Sequence, residues 1–263
     1  MRIKIFYLLA IFIGCVSCSN DPDIIQDNKD FNNSVLSIEY LNITYNGVTY
    51  LNVPTTYNDH GDFIFHDEDF ATIYTTELAN DPDWSISIID AENIIFYGNL
   101  KTNLKANGIE IDPDIQFING IRSGSPETRA GYEDLAEVTL FDDRDYKDRN
   151  YSFQLNDSVI SVEVNNLNDK PWRFNDKCSS LIITNNMPND PNQKFKLGYF
   201  TYPCSEIVAV FIGYDDKNFS DRTITCVCPP SDVKKYPSLP GFNDKMSSFK
   251  FFFAQKGQYS STI

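Results

Sequence analysis

A ten-residue phrase occurs twice in this chain, as FNDKCSSLII at Phe174–Ile183 and as FNDKMSSFKF at Phe242–Phe251. Both copies read Phe-Asn-Asp-Lys-x-Ser-Ser and run straight into an apolar, strand-like stretch. An internal repeat limits the fold before any propensity does, because each copy must form the same local unit. A second phrase precedes each copy: VTLFDDRDYKDRNYSF (Val138–Phe153) aligns with VFIGYDDKNFSDRTIT (Val210–Thr225) when Tyr146 is set on Phe219. The order is kept, aromatic hairpin first and Asn-Asp-x-x-Ser-Ser second, with the second unit five residues shorter between the two phrases. Each unit therefore places a carboxamide, a carboxylate and two hydroxyls at the mouth of a strand, a set of hard oxygen donors of the kind Ca²⁺ takes.

These residues resemble a βγ-crystallin domain of the calcium-binding, microbial type. That family is built from paired Greek keys, each with an aromatic A–B hairpin followed by (Asn/Asp)-(Asn/Asp)-x-x-(Ser/Thr)-Ser. Asn175-Asp176-Lys177-Cys178-Ser179-Ser180 and Asn243-Asp244-Lys245-Met246-Ser247-Ser248 both fit. The resemblance covers roughly 136–256 and implies an all-β domain, a β-sandwich of two Greek keys. It also implies a ligand set for two calcium ions. Site one would use Ser179, the Lys177 carbonyl, Asp244 reaching across from the other key, and the Arg144 carbonyl. Site two would use Ser247, the Lys245 carbonyl, Asp176 reaching across, and the Lys217 carbonyl. With one crossing carboxylate per site, the expected affinity lies in the roughly 10⁻⁴–10⁻³ M range of extracellular modules.

Two departures from the family pattern carry structural expectations. The hairpin usually has glycine two residues after its aromatic, where Asp148 and Asp221 stand here. Aspartate is among the few residues besides glycine that enter the left-handed region at modest cost. The segment between the keys, Asn185–Val208, is longer than usual. Cys178 aligns with Met246, so that position reads as an inward apolar slot. The remaining cysteines, Cys204, Cys226 and Cys228, suggest a disulfide of Cys204 with Cys226 or Cys228 in an exported protein.

Export is expected from the start of the chain. Arg2 and Lys4 precede an apolar run, Ile5–Val16, too short to span a membrane, which reads as a signal peptide over 1–17. Val16-Ser17-Cys18 resembles a lipobox with Cys18 as the lipidated residue, and the polar stretch 18–34 resembles the tethers of Bacteroidetes surface lipoproteins. The expected location is the cell surface, on a lipid anchor in the outer membrane.

From Val35 the pattern alternates around Asn46-Gly47, a strong hairpin signal, and reads as a smaller all-β domain over 35–118 built of short strands. Residues 119–135, rich in Gly, Ser and Pro, read as a linker. The smaller domain holds both histidines, His60 and His66, in spacings that match no metal template. The formal net charge of −15 argues against nucleic acid as a partner, since phosphate binding needs clustered Lys and Arg. There is no nucleophile elbow, HExxH or phosphate loop, so the chain reads as non-enzymatic. The competing reading is a glycan- or protein-binding surface lipoprotein, with Trp84 and Trp172 as candidate contacts and the crystallin-like domain as scaffold.

Overall fold

The computed structural model describes residues 37–58, 61–109, 121–122 and 134–257. The expected signal peptide, tether, lipidation residue Cys18, His60 and most of the linker lie outside the described residues. The chain is built of strands β1 (Glu39–Tyr45), β2 (Val48–Tyr57), β3 (Phe63–Phe65), β4 (Ser85–Ile88), β5 (Asn93–Tyr97), β6 (Ile121–Arg122), β7 (Ala136–Phe141) and β8 (Asn150–Leu155). There follow β9 (Ser161–Val164), β10 (Ser180–Asn185), β11 (Lys194–Leu197), β12 (Phe200–Pro203), β13 (Ile207–Tyr214), β14 (Thr223–Cys228), β15 (Asp232–Tyr236) and β16 (Ser248–Gln255). Helices α1 (Glu68–Ile73) and α2 (Leu100–Ala106) lie ahead of the two repeats.

Each repeat supplies four strands, β7–β10 and β13–β16, and each gives its third strand to the other. One sheet runs β15-β10-β7-β8, and the other carries β14-β13-β16-β9 at its centre. Strand β15 pairs with β10 with Leu181 opposite Tyr236, while β9 pairs with β16 with Phe251 opposite Val162. The result is the all-β, βγ-crystallin-like pair of Greek keys that the resemblance implies. The long inter-key segment folds its middle into a separate hairpin, β11–β12.

The two sheets read differently in sequence because they are buried differently. In β7 the alternation puts Ala136, Val138 and Leu140 inward and leaves their neighbours half-buried. Strand β13 is buried at every position, and β16 at all but its last. Their outer face is covered by Leu104 of α2 and by Ile109, which join Val208, Val210, Ile212, Tyr214, Phe252 and Ala254 in a second apolar cluster. A sheet covered on both faces needs near-continuous apolar strands rather than alternating ones.

The described residues 37–58 and 61–109, which the sequence reads as part of a smaller all-β domain, share one core with the two repeats. Strand β4 adds in parallel to β14, Thr223 opposite Ser85 and Thr225 opposite Ser87, so that β3-β2-β1-β5-β4 extends the sheet of the second key. The physical reason is the free edge that a Greek key presents at its second strand, whose amides and carbonyls need partners. Trp84, fully buried, packs edge-on against Phe242 at 6.1 Å and tilted against Phe96 at 5.3 Å, welding both regions into one core.

Two further expectations are corrected. The segment after β3 is helical rather than extended. Asp67 caps α1 by accepting from the Phe70 amide at 2.9 Å, and Asn99 caps α2 by accepting from Thr102 at 2.8 Å. These capping contacts override the β-branched Thr and Ile that follow. Nor is there a disulfide among the described cysteines: Cys178, Cys204, Cys226 and Cys228 are free and buried. The β13–β14 register sets Cys228 opposite Ala209, five residues beyond Cys204. Burial raises the thiol pKa of Cys178 and Cys226, and pushes that of Cys228 to about 11. His66 Nε2 is engaged with Thr56 Oγ1 at 2.9 Å.

One shared core predicts one cooperative unfolding transition. Trp84→Ala is expected to destabilise it by about 3–5 kcal/mol and to lower a single calorimetric melting peak. Two separable peaks would show that residues 36–109 melt on their own.

Candidate metal sites between the two repeats

Strand exchange brings the two Asn-Asp-x-x-Ser-Ser loops face to face. The Asp176 amide donates to the Met246 carbonyl at 3.2 Å, and the Asp244 amide donates to the Cys178 carbonyl at 3.3 Å. Both aspartates sit in the left-handed region, φ 53° and 56°. Cys178 and Met246 are fully buried and hold each loop down by its middle residue. Gly213 makes room for the second anchor, since a Cβ there would lie 2.5 Å from Met246 Cε and 2.8 Å from Ile224 Cγ2.

The side chains then cross between keys. Ser179 Oγ donates to Asp244 Oδ1 at 2.8 Å, and Ser247 Oγ donates to Asp176 Oδ1 at 3.1 Å. Neighbouring oxygens in a seven-fold shell with bonds of 2.3–2.6 Å stand about 2.7–3.1 Å apart. Each serine–aspartate pair thus has the spacing of two adjacent ligands of one Ca²⁺-sized cation. A cavity of about 380 Å³ opens beside the second pair, lined by Asp176, Asp215, Asp216, Lys217, Asp244 and Ser247. Asn175, on the same wall, has a buried Oδ1 that accepts no hydrogen bond. Among the described residues no three His, Cys, Asp or Glu side chains converge as a metal cage. The donors are hydroxyl, carboxylate and carbonyl oxygens, a set that fits a hard divalent cation rather than a transition metal.

The four residues expected to act through carbonyls are placed less uniformly. Lys217 borders the cavity, and its carbonyl accepts from Ser220 Oγ at 2.8 Å. Arg144 occupies the first hairpin with its guanidinium bound to Glu39 and 5.4 Å from the Tyr57 ring centroid. Lys177 points to solvent, its Nζ 4.0 Å from Asp142. Lys245 is buried, and its ammonium is bound to Asp62 of the β2–β3 loop.

Sequence reasoning missed the job of the second serine in each motif. Ser180 Oγ donates to the Asp143 carbonyl at 2.6 Å and accepts from the Tyr146 amide at 3.1 Å. Ser248 repeats both contacts with Asp216 and Phe219, at 2.6 and 3.1 Å. One hydroxyl per key therefore pins the aromatic hairpin to the strand that follows the loop. That hairpin is strained: Asp145, Tyr146 and Asp148, with Asn218, Phe219 and Asp221, all have φ of 58–67°. Asp148 and Asp221 adopt the left-handed conformation expected of them. Each hairpin also carries an Arg–Asp pair, Arg149 with Asp142 at 3.2 Å and Arg222 with Asp215, and each arginine lies over an aromatic ring, Phe174 or Trp84.

Burial alone would raise the Asp62 pKa. Hydrogen bonds from Lys245, Asn58 and Arg222, with the Lys245 charge, outweigh it and hold the group at about 2. Beside it, burial raises the Asp215 pKa despite Arg222.

Removing either pinning hydroxyl, by Ser180→Ala or Ser248→Ala, is expected to cost about 1–3 kcal/mol in chelator while leaving Ser179, Ser247 and both aspartates in place. A chemical-denaturation midpoint checks it. The depressed pKa of Asp62 makes its contribution to stability full above about pH 4 and lost as pH falls through about 2. Melting temperatures between pH 7 and pH 2 are expected to fall less steeply below pH 4 for Asp62→Asn than for the wild type.

No family model matches the chain, and no curated protein matches it. Solved structures are similar to it, among them two crystallins. A beta gamma crystallin from Ciona intestinalis is 19% identical over 43% of this chain and 95% of its own, with a TM-score of 0.25. A structure described as the evolution of the eye lens beta-gamma-crystallin domain fold is 17% identical over 48% of this chain and 93% of its own, with a TM-score of 0.26. Both neighbours are βγ-crystallin domains, a likeness that concerns the fold alone.

Proposed function

We propose that this chain is a calcium-binding, non-enzymatic surface module, carried outside the cell on a lipid at Cys18. The observation that carries the reading is the reciprocal crossing of Ser179 to Asp244 and Ser247 to Asp176, at 2.8 and 3.1 Å. In each pair one oxygen comes from either key, so a cation held there ties the keys together. Ser179 and Ser247 supply neutral oxygens, Asp244 and Asp176 supply charge, and the buried Cys178 and Met246 keep both loops from drifting. When bound, Ca²⁺ supplies positive charge that relieves repulsion among Asp176, Asp215, Asp216 and Asp244.

The alternative of a glycan-binding protein has less support. Trp84 and Trp172 are both core residues, 0% and 4% exposed, and neither offers a stacking face.

Thermal unfolding in EDTA and in millimolar CaCl₂ tests the proposal. Free calcium at ten times Kd stabilises by about 1.4 kcal/mol per site, and each kcal/mol moves Tm by about 2–4 °C for a unit of this size. A rise of several degrees is expected for the wild type and none for the Ser179→Arg/Ser247→Arg variant. Identical melting of the wild type in both conditions would sink the reading.

A further inference from the structure

We infer that Asp62, which lies outside both repeats, is a positioning residue for the second site, holding and neutralising Lys245 so that its buried ammonium does not weaken cation binding there. This inference rests on the calcium reading above.

The two loops share their ligand residues, so any difference between the sites comes from what surrounds them. The lysine at the third position of each motif is expected to give its carbonyl to the ion, and its own ammonium is a cation beside that ion. At the first loop this is harmless: the Lys177 side chain is 46% exposed, and water screens it. At the second loop the Lys245 side chain is only 9% exposed. Lys245 also lines the cavity beside the second serine–aspartate pair, and a buried ammonium there opposes a divalent cation with little screening.

Asp62 answers that charge. It binds Lys245 Nζ and takes Arg222 Nη1 at 3.3 Å, while Arg222 is also bound to Asp215 and lies 3.9 Å from Asp221. Asp62 is itself fixed. Asn58 donates through Nδ2 to its carboxylate at 3.0 Å and accepts its amide through Oδ1 at 2.8 Å. The Asn58 amide also donates to the Asp62 carbonyl at 3.0 Å. The neighbouring Gly61, at φ 74°, lies so close to the second loop that a Cβ would stand 3.0 Å from the Asn243 carbonyl. Gly61 and Asp62, just ahead of β3, thus press on the second motif. The nearest carboxylate to Lys177 is Asp142 of its own repeat, at 4.0 Å.

Calcium titration calorimetry on the chelator-stripped full chain tests this, using Ser179→Arg to leave only the second site and Ser247→Arg to leave only the first. In the Ser179→Arg background, adding Asp62→Asn is expected to weaken binding by about ten-fold or more, the usual effect of losing an outer-shell partner. In the Ser247→Arg background it should change binding by less than about two-fold, since no such partner is lost there. Melting in chelator verifies that each variant is folded. Asn58→Ala, a change in an exposed loop that leaves every charge in place, provides a second route and is expected to weaken the second site alone by a few-fold. Equal effects on both sites, or on neither, overturn the inference while calcium binding stands. Absence of calcium binding in the wild type removes the functional reading and this inference together.

Discussion

Neither repeat can complete a sheet alone. The third strand of each lies in the other's sheet, β9 beside β16 and β15 beside β10. Much of the architecture depends on that exchange. It fixes the inner faces of both keys into one core, with Leu181 and Ile183 buried on one side and Phe249 and Phe251 on the other. It also fixes the two motifs opposite one another, because the loop before β10 and the loop before β16 must each meet the partner key. The amide–carbonyl bonds from Asp176 to Met246 and from Asp244 to Cys178 are the local expression of the same symmetry. The serine–aspartate crossings follow from it.

Much of this was legible because the repeat is read by comparison with itself. Aligning Cys178 with Met246 marks an inward slot, and both side chains are fully buried. Aligning Asp148 with Asp221 marks a left-handed position, and both have positive φ. Ser180 and Ser248 were equally visible as residues, but their use was not. A hydroxyl that bridges a hairpin carbonyl and amide some thirty residues away leaves no local periodicity. The only available signal was that the repeat keeps two serines where a cation needs one.

The first third of the chain was hardest to read because its partner is far off in sequence. Ser85 meets Thr223, a separation of 138 residues. Alternation announces a strand but says nothing about which edge the strand will join. Asp62 was hidden for the same reason. Among the acids of the segment 58–69 it reads as one more solvated charge, and only the packing of Gly61 and Asp62 onto the second motif sets its carboxylate between Lys245 and Arg222.

The parallel pairing of β4 with β14 also sets an order of events. The chain is synthesised from its N-terminus, and β4 is complete long before β14 exists. For the whole interval in which residues 89–222 emerge, one side of β4 has no strand to bond, and Trp84 has no Phe242 to pack on. Non-local pairings of this kind fold slowly and leave apolar surface exposed meanwhile. The first third of this protein must therefore wait, unfinished, for nearly the last strand of the chain to arrive.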